Sequence, residues 1–253
     1  MKIMKLYFYI CFVQALLVLI SCSDNPVLVE NSIKADKYFP MKTGNYWIYR
    51  TTELDTLGNP TAKISIDSTV ITGSRNFGGL DFFKFETYRD GTKILEEFWA
   101  ADDNHIYQIR NENNEIVSGL KDMVFIIADF KATDWPVYYR KIDSADYEWQ
   151  GIKGWASIEN NIRCRRDFLI DSVIFNDKKL KVYTYKYISD IRYNFHHSAD
   201  WIITRNKPLS YSFAENTGPV LINKFSNYLY VNYQLKDDWE LGYTKQLIRC
   251  KIN

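Results

Sequence analysis

The clearest pattern in the chain is a strict alternation of apolar and polar residues between positions 62 and 70. Successive side chains of a β-strand point to opposite faces, so this period of two predicts a half-buried antiparallel strand. In such a strand the apolar series ordinarily faces the core. The two series are Ala62, Ile64, Ile66, Ser68 and Val70 against Lys63, Ser65, Asp67 and Thr69.

Other strand-like segments recur about every dozen residues, with turn residues between them. Asp90-Gly91 and the polar run 176–179 each predict a hairpin. The segment 123–130 fits either a strand or a short helix, Trp135-Pro136 should interrupt regular structure, and 190–199 should form a polar, aromatic loop. The strands are predicted over 45–51, 82–88, 94–99, 105–110, 162–175, 180–188, 221–225, 228–235 and 241–252.

This arrangement predicts a mainly β fold, with one antiparallel sheet domain in the form of a curved sheet, a sandwich or an open barrel. The composition agrees, because 16% of the residues are aromatic. Aromatic side chains suit a pleated, half-buried surface. No repeat or linker divides the region 38–253, which we expect to be a single globular domain.

The N-terminus has the pattern of an export signal. Lys2 and Lys5 precede an apolar run over 6–20. That run is shorter than a transmembrane helix needs, which is about 20 residues. The tetrapeptide Leu19-Ile20-Ser21-Cys22 resembles a bacterial lipobox. The resemblance implies that 1–21 are a cleaved signal peptide, that Cys22 carries lipid, and that 22–37 tether the domain to the membrane. Ser23 after the cysteine favours the outer membrane, with the periplasmic and surface faces both left open.

The charge of the chain excludes one class of partner. Removing 1–21 takes away two lysines and no acidic residue, which leaves 30 basic and 31 acidic residues. Binding to nucleic acid depends on a basic excess that neutralises phosphates, so no nucleic-acid partner is expected.

Two phrases resemble a group of uncharacterised outer-membrane lipoproteins from Bacteroidetes-type bacteria. They are YFPMKTGNYWIY at 38–49 and FAENTGPV at 213–220. The resemblance implies an envelope lipoprotein and no particular activity. Physically, the phrases predict structural roles: a positive-φ turn at Gly44, Trp47 and Tyr49 on one strand face, and close backbone approach at Gly218.

The residues that could support catalysis or hold a metal are few. Histidine occurs only at 105, 196 and 197. His196-His197 with Asp200 matches no standard zinc spacing. Nucleophile-elbow, phosphate-loop and dinucleotide motifs are missing from the sequence. We therefore expect no enzyme activity, cofactor or metal.

The remaining candidate residues are cysteines and tyrosines. Cys164 and Cys250 would share an oxidising compartment and could form a disulfide, or remain two buried thiols. Rows of tyrosines on single strand faces could bind a ligand, or could pack in the core. These rows are Tyr183, Tyr185 and Tyr187, and Tyr228 and Tyr230.

Together these features predict a non-catalytic, lipid-anchored envelope lipoprotein that binds another envelope protein, a glycan or an apolar ligand. One alternative is a periplasmic half-barrel that carries lipid or another hydrophobic ligand, which would require a large apolar cavity. A hydrolase is the third alternative, and it would need carboxylates or histidines that converge from separate strands.

Overall fold

The computed structural model describes residues 34–55, 57–110, 123–149, 152–196, 201–225, 228–231, 234–236 and 241–253. The predictions for the signal peptide, for Cys22 and for most of the tether lie outside these ranges, as do His197 and Asp200.

The described residues form one short helix and a series of strands. Helix α1 spans Ala35–Tyr38. The strands are β1 Tyr46–Leu54, β2 Pro60–Phe77, β3 Leu80–Arg89, β4 Thr92–Ala101, β5 His105–Arg110, β6 Met123–Asp129, β7 Asp134–Trp149, β8 Ile152–Asp167, β9 Ser172–Phe175, β10 Lys178–His196, β11 Trp201–Ala214, β12 Gly218–Lys224, β13 Tyr228–Val231, β14 Gln234–Lys236 and β15 Tyr243–Lys251.

The strands pair in the order β6-β5-β4-β3-β2-β1-β15-β12-β11-β10-β8-β7, and every pair is antiparallel. Strand β9 pairs with β10, and β13 joins β11 to β14. The mainly β, single-sheet prediction is therefore confirmed. The last strand, β15, pairs with the first, so the two ends of the domain meet in the middle of the sheet.

The sheet curls until its two edges approach each other. Strands β6 and β7 stand at opposite ends of the strand order, yet the Trp135 indole Nε1 on β7 donates a hydrogen bond to the Ile126 carbonyl on β6 at 3.0 Å. The Phe125 ring on β6 also lies 6.3 Å from the Tyr187 ring on β10. The result is a nearly closed, barrel-like sheet whose edges meet through side chains.

Aromatic rings fill the interior of the curled sheet. Phe39, placed just after α1, packs against Trp47, Phe85, Trp99 and Phe213 with ring centroids 5.2–6.1 Å apart. These contacts are tilted or edge-to-face, the geometries that ring quadrupoles favour. Among the residues whose side chains are described, the buried aromatic ones are Tyr38, Phe39, Trp47, Tyr49, Phe82, Phe85, Trp99, Phe125, Phe130, Trp135, Tyr183, Tyr185, Tyr187, Tyr211 and Phe213.

The alternating strand predicted at 62–70 forms as part of β2, but its phase is the reverse of the expected one. Ile64 and Ile66 are 60% and 49% exposed on the outer face, whereas Asp67 is completely buried on the inner face. The inner face is polar at this end of the sheet, and Asp67 finds charged partners there. Apolar alternation therefore identified the strand but not the side that is buried.

Three further predictions are corrected or settled. The ambiguous segment 123–130 is strand β6. Pro136 does not end an element, because β7 runs through it with a register shift between Pro136 and Tyr138. Strand β7 lies at the end of the strand order, and an edge strand tolerates a missing N–H. The predicted loop at 190–199 is instead a strand as far as His196, because β10 continues there and pairs with β8 and β11.

Candidate functional site at the polar end of the sheet

The two lipoprotein-like phrases contact each other, and their contacts are structural. The Trp47 indole Nε1 donates to the Thr217 carbonyl at 2.6 Å, and the Tyr49 hydroxyl donates to the Pro219 carbonyl at 2.8 Å. Gly218 between them has φ +93°, and a Cβ there would lie 3.1 Å from Trp47 Nε1. The phrases thus join β1 to the turn before β12, and they contribute to the core.

The inner face changes from aromatic to charged toward one end of β1, β2, β3 and β15. At that end Asp67 is buried and receives two hydrogen bonds from Arg89, Nε to Oδ1 at 2.8 Å and Nη2 to Oδ2 at 3.1 Å. The Thr51 hydroxyl donates to Asp67 Oδ2 at 2.8 Å, and Lys245 Nζ lies 3.1 Å from the same oxygen. We call these four residues the Asp67 cluster.

The register of the sheet explains why the Asp67 cluster forms. Arg89 is the direct cross-strand partner of Asp67, and Lys245 is the partner of Thr51. Burial alone would raise the pKa of the Asp67 carboxyl, but the hydrogen bonds from Arg89 and Thr51 and the Lys245 charge outweigh it and lower that pKa. Each partner comes from a different strand, so no local motif in the sequence could reveal the set.

The Asp67 cluster separates a small cavity from an open groove. The cavity has a volume of about 50 Å³ and lies between the cluster and the aromatic core. The groove has a volume of about 480 Å³ and lies beside Arg89 at this end of β1, β2 and β15, where residues of both sheet faces line it. The groove is lined by Thr51, Glu53, Ala62, Lys63, Ile64, Ser65, Arg89, Leu241, Gly242 and Tyr243.

A second polar cluster surrounds His105. Asp102 accepts hydrogen bonds from the Tyr107 hydroxyl at 2.6 Å and from the backbone N–H of Asn104 at 2.7 Å, and His105 Nδ1 lies 3.1 Å from its carboxylate. Burial opposes ionisation, but these hydrogen bonds prevail and lower the pKa of Asp102 to about 2. On its other side His105 Nε2 lies 3.6 Å from Asp129.

The His105 cluster stabilises a turn. Asp102 accepts hydrogen bonds from backbone N–H groups of the turn between β4 and β5. This is the usual role of an aspartate side chain in a turn. Within the described ranges, no group of three or more histidine, cysteine or acidic side chains has the geometry to hold a metal ion. His196 instead stacks on Trp155, with ring centroids 3.9 Å apart.

The tyrosine row 183–187 is a core feature. Tyr183, Tyr185 and Tyr187 are each at most 2% exposed and pack inside the sheet, so they present no external binding row. Tyr228 and Tyr230 belong to β13, and their side chains lie outside the described part of the structure.

The two cysteines are free thiols on β8 and β15, which β10, β11 and β12 separate in the strand order. Both lie on the inner face: Cys164 is completely buried, and Cys250 is the cross-strand partner of buried Trp47. The suggested disulfide is not formed in this structure.

No family model and no curated protein sequence matches the chain. Among solved structures, two crystal structures are similar to it. One is a candidate lipoprotein from Parabacteroides distasonis, with 13% identity, a TM-score of 0.43, and coverage of 85% of this chain and 98% of the other. The second is a candidate exported protein with a YmcC-like fold from Bacteroides fragilis, with 12% identity, a TM-score of 0.35, and coverage of 84% and 98%. Over the described residues, the chain forms no helix of the length and apolarity that membrane crossing requires.

Proposed function

We propose that the chain is a non-catalytic, lipid-anchored envelope lipoprotein that binds its ligand in the groove above the Asp67 cluster. The observation that carries the proposal is the groove itself, whose volume is about 480 Å³. Known ligand sites have volumes of roughly 300 to 1000 Å³, so the groove is large enough to hold a small molecule. It combines hydrogen-bonding side chains with apolar ones, and the buried ion pairs beneath it hold its floor in one conformation.

The interior supports a binding role more than a carrier role. The cavity behind the Asp67 cluster has a volume of about 50 Å³. A space of this size has room for a few water molecules at most, and an acyl chain needs several times as much. Over the described residues, aromatic rings occupy the place where a half-barrel carrier would hold its cargo.

The state of Asp67 and Asp102 supports a non-catalytic role. Asp67 is inaccessible to solvent and accepts hydrogen bonds from two side chains, so its carboxylate cannot reach a substrate in the groove. Asp102 is similarly engaged with Tyr107 and with backbone N–H groups.

The test is a ligand screen with a variant that fills the groove. The mature domain would be applied to arrays of soluble glycans and peptides, beside Ser65→Trp and the matched Ser68→Trp. Ser65 lines the groove, whereas Ser68 points to the outer face, between its cross-strand partners Ile48 and Tyr88. A ligand lost only in Ser65→Trp supports the proposal. A ligand that both variants retain would place binding elsewhere.

A further inference from the structure

Arg89 is the charged residue of the groove whose orientation is best fixed. Its Nε and Nη2 atoms both bind the buried Asp67 carboxylate, at 2.8 and 3.1 Å. A guanidinium group has five N–H donors in a rigid plane, so these two bonds leave the end-on edge, Nη1 and the second hydrogen of Nη2, for another acceptor. The Arg89 side chain is 39% exposed and lines the groove.

The burial of Asp67 explains why Arg89 keeps this orientation. Breaking the pair would remove two hydrogen bonds from a carboxylate in a site with no access to water, which is more costly than breaking a surface ion pair. The Arg89 plane is therefore held before any ligand arrives, and little side-chain entropy is lost on binding.

The charges around Arg89 favour an anionic ligand. Below the groove, Lys245 and Asp67 offset each other at 3.1 Å. The charged residues that line the groove are Arg89, Lys63 and Glu53, and Lys63 Nζ lies 3.2 Å from Glu53 Oε1. Among the described residues, the lining thus has one positive charge in excess, which is located at Arg89. The carboxylate of Asp90, the next residue along the chain, also acts on Arg89, but Asp90 does not line the groove.

We infer that the groove recognises a ligand with one carboxylate group, which Arg89 binds through its end-on edge while Asp67 holds the guanidinium from behind. A planar guanidinium edge and a carboxylate match in a bidentate arrangement, and one excess charge matches one carboxylate. The inference rests on the proposed binding function of the groove. An acidic sugar and the C-terminal carboxylate of a short peptide both supply this chemistry.

The experiment is a set of NMR titrations of the ¹⁵N-labelled mature domain with matched pairs of probes. Glucuronic acid is compared with glucose, and acetyl-alanyl-alanine with its C-terminal amide. We expect the acid of at least one pair to shift the amides of groove residues while its neutral partner does not. The pair that responds identifies the sugar or the peptide as the source of the carboxylate.

The variant that tests Arg89 is Arg89→Lys, which keeps the positive charge but not the second N–H edge. It should bind the responding acid about tenfold or more weakly. The matched control is Arg75→Lys, because Arg75 packs over Phe98, with its guanidinium carbon 4.1 Å from the ring centroid, and does not line the groove. It should leave the affinity unchanged. Thermal unfolding of both variants establishes that they are folded.

The outcomes separate the two proposals. Equal shifts with an acid and its neutral partner, abolished by Ser65→Trp, would overturn the carboxylate inference and leave the groove as a binding site. Unchanged affinity in folded Arg89→Lys would also overturn it. No shifts with any probe would overturn the carboxylate inference. Shifts confined to residues outside the groove would overturn both the carboxylate inference and the groove as the binding site.

Discussion

Asp67 is the residue whose removal should cost most at the polar end of the sheet. Asp67→Ala leaves Arg89 and Lys245 without their shared carboxylate, and Lys245 is only 7% exposed. Removing one partner of a buried ion pair typically lowers the free energy of unfolding by about 3–5 kcal/mol. Urea denaturation should show a loss in this range, and the exposed control Asp81→Ala should show about 0.5 kcal/mol or less. A loss for Asp67→Ala as small as that of the control would contradict the burial of the cluster.

Asp102 should make stability depend on pH in acid. Its folded-state pKa of about 2 lies below the ordinary value of 3.8. Because the pKa is lower in the folded state, the ionised carboxylate stabilises the fold at pH values above the unfolded-state pKa. This stability is lost as the pH falls from about 4 toward 2. The side chain is 35% exposed. The contribution is therefore roughly 1 kcal/mol after solvent screening.

The comparison that isolates this effect is wild type against Asp102→Asn, which keeps an acceptor for Tyr107 but cannot ionise. The difference in melting temperature between the two should shrink as the pH falls from 5 to 2, as followed by circular dichroism. A constant difference would mean that Asp102 acts only through its shape.

At the level of single residues, the sequence predicted local chemistry and missed long-range partnerships. Gly44 has the positive φ that its turn required, and Gly218 makes the predicted close backbone approach. Asp67 could not be found in the same way. Its partners lie on β1, β3 and β15, and Lys245 on β15 comes from the opposite end of the domain sequence.

At the level of elements, the turn before β12 should tolerate no side chain at Gly218. Gly218→Ala adds a Cβ at φ +93°, 3.1 Å from Trp47 Nε1. The strained conformation costs about 1–3 kcal/mol. The displaced indole would also weaken its hydrogen bond to the Thr217 carbonyl. Gly58→Ala is the matched control, since Gly58 has φ +83° and nothing within 4 Å of the added Cβ. Chemical denaturation should show a larger loss for Gly218→Ala, and equal losses would mean that the Trp47 contact is unimportant.

Strand β2 gives a direct test of which face is buried. Ile71 is 1% exposed and Ile66 is 49% exposed, although both are isoleucines of the same strand. Ile71→Ala should lower the free energy of unfolding by about 2–5 kcal/mol, and Ile66→Ala by well under that amount. Urea denaturation of the two variants shows which face of β2 is buried. A larger loss for Ile66→Ala than for Ile71→Ala would mean that the face favoured by the apolar pattern is the buried one.

The phase of β2 shows what periodicity can and cannot establish. A period of two identifies a strand, but it is the same whichever face is buried. The choice here is made by tertiary context: the inner face near Asp67 offers charged partners, so polar residues can face inward without being left unpaired. Tertiary context also decides the end of β10. Pairing with its neighbouring strands continues as far as His196, in a region whose polar composition predicted a loop.

At the level of the whole molecule, the strand class was predictable and the strand order was not. Turn residues indicated the hairpins β3–β4 and β9–β10, which pair as neighbours in sequence. The strand predicted over 162–175 divides into β8 and β9, and both pair with β10 as the hairpin at 176–179 predicted. The pairing β1–β15 instead joins segments that are far apart in the sequence, and its register shifts between Ile48 and Tyr49. Closure through Trp135 depends on the accumulated curvature of the sheet, which no single segment encodes.

The proposed attachment of the molecule to a membrane would depend on Cys22, which the resemblance to a lipobox identifies in the sequence. A lipidated Cys22 would carry two or three acyl chains, which anchor a protein effectively permanently where one chain does not. Because Ser23 favours the outer membrane, the protein should fractionate with that membrane. Cys22→Ala removes the acceptor thiol and should move the protein to the soluble fraction or leave it as unprocessed precursor, and blots of fractions with an antibody against the domain measure this. Cys164→Ala is the control that should stay attached, and a membrane-bound, processed Cys22→Ala protein would refute the anchor.

Protease treatment of intact cells then decides which side of the outer membrane the domain faces. Digestion of the wild type would show that the groove meets ligands outside the cell. Protection until the outer membrane is opened would show that the groove meets ligands of the periplasm.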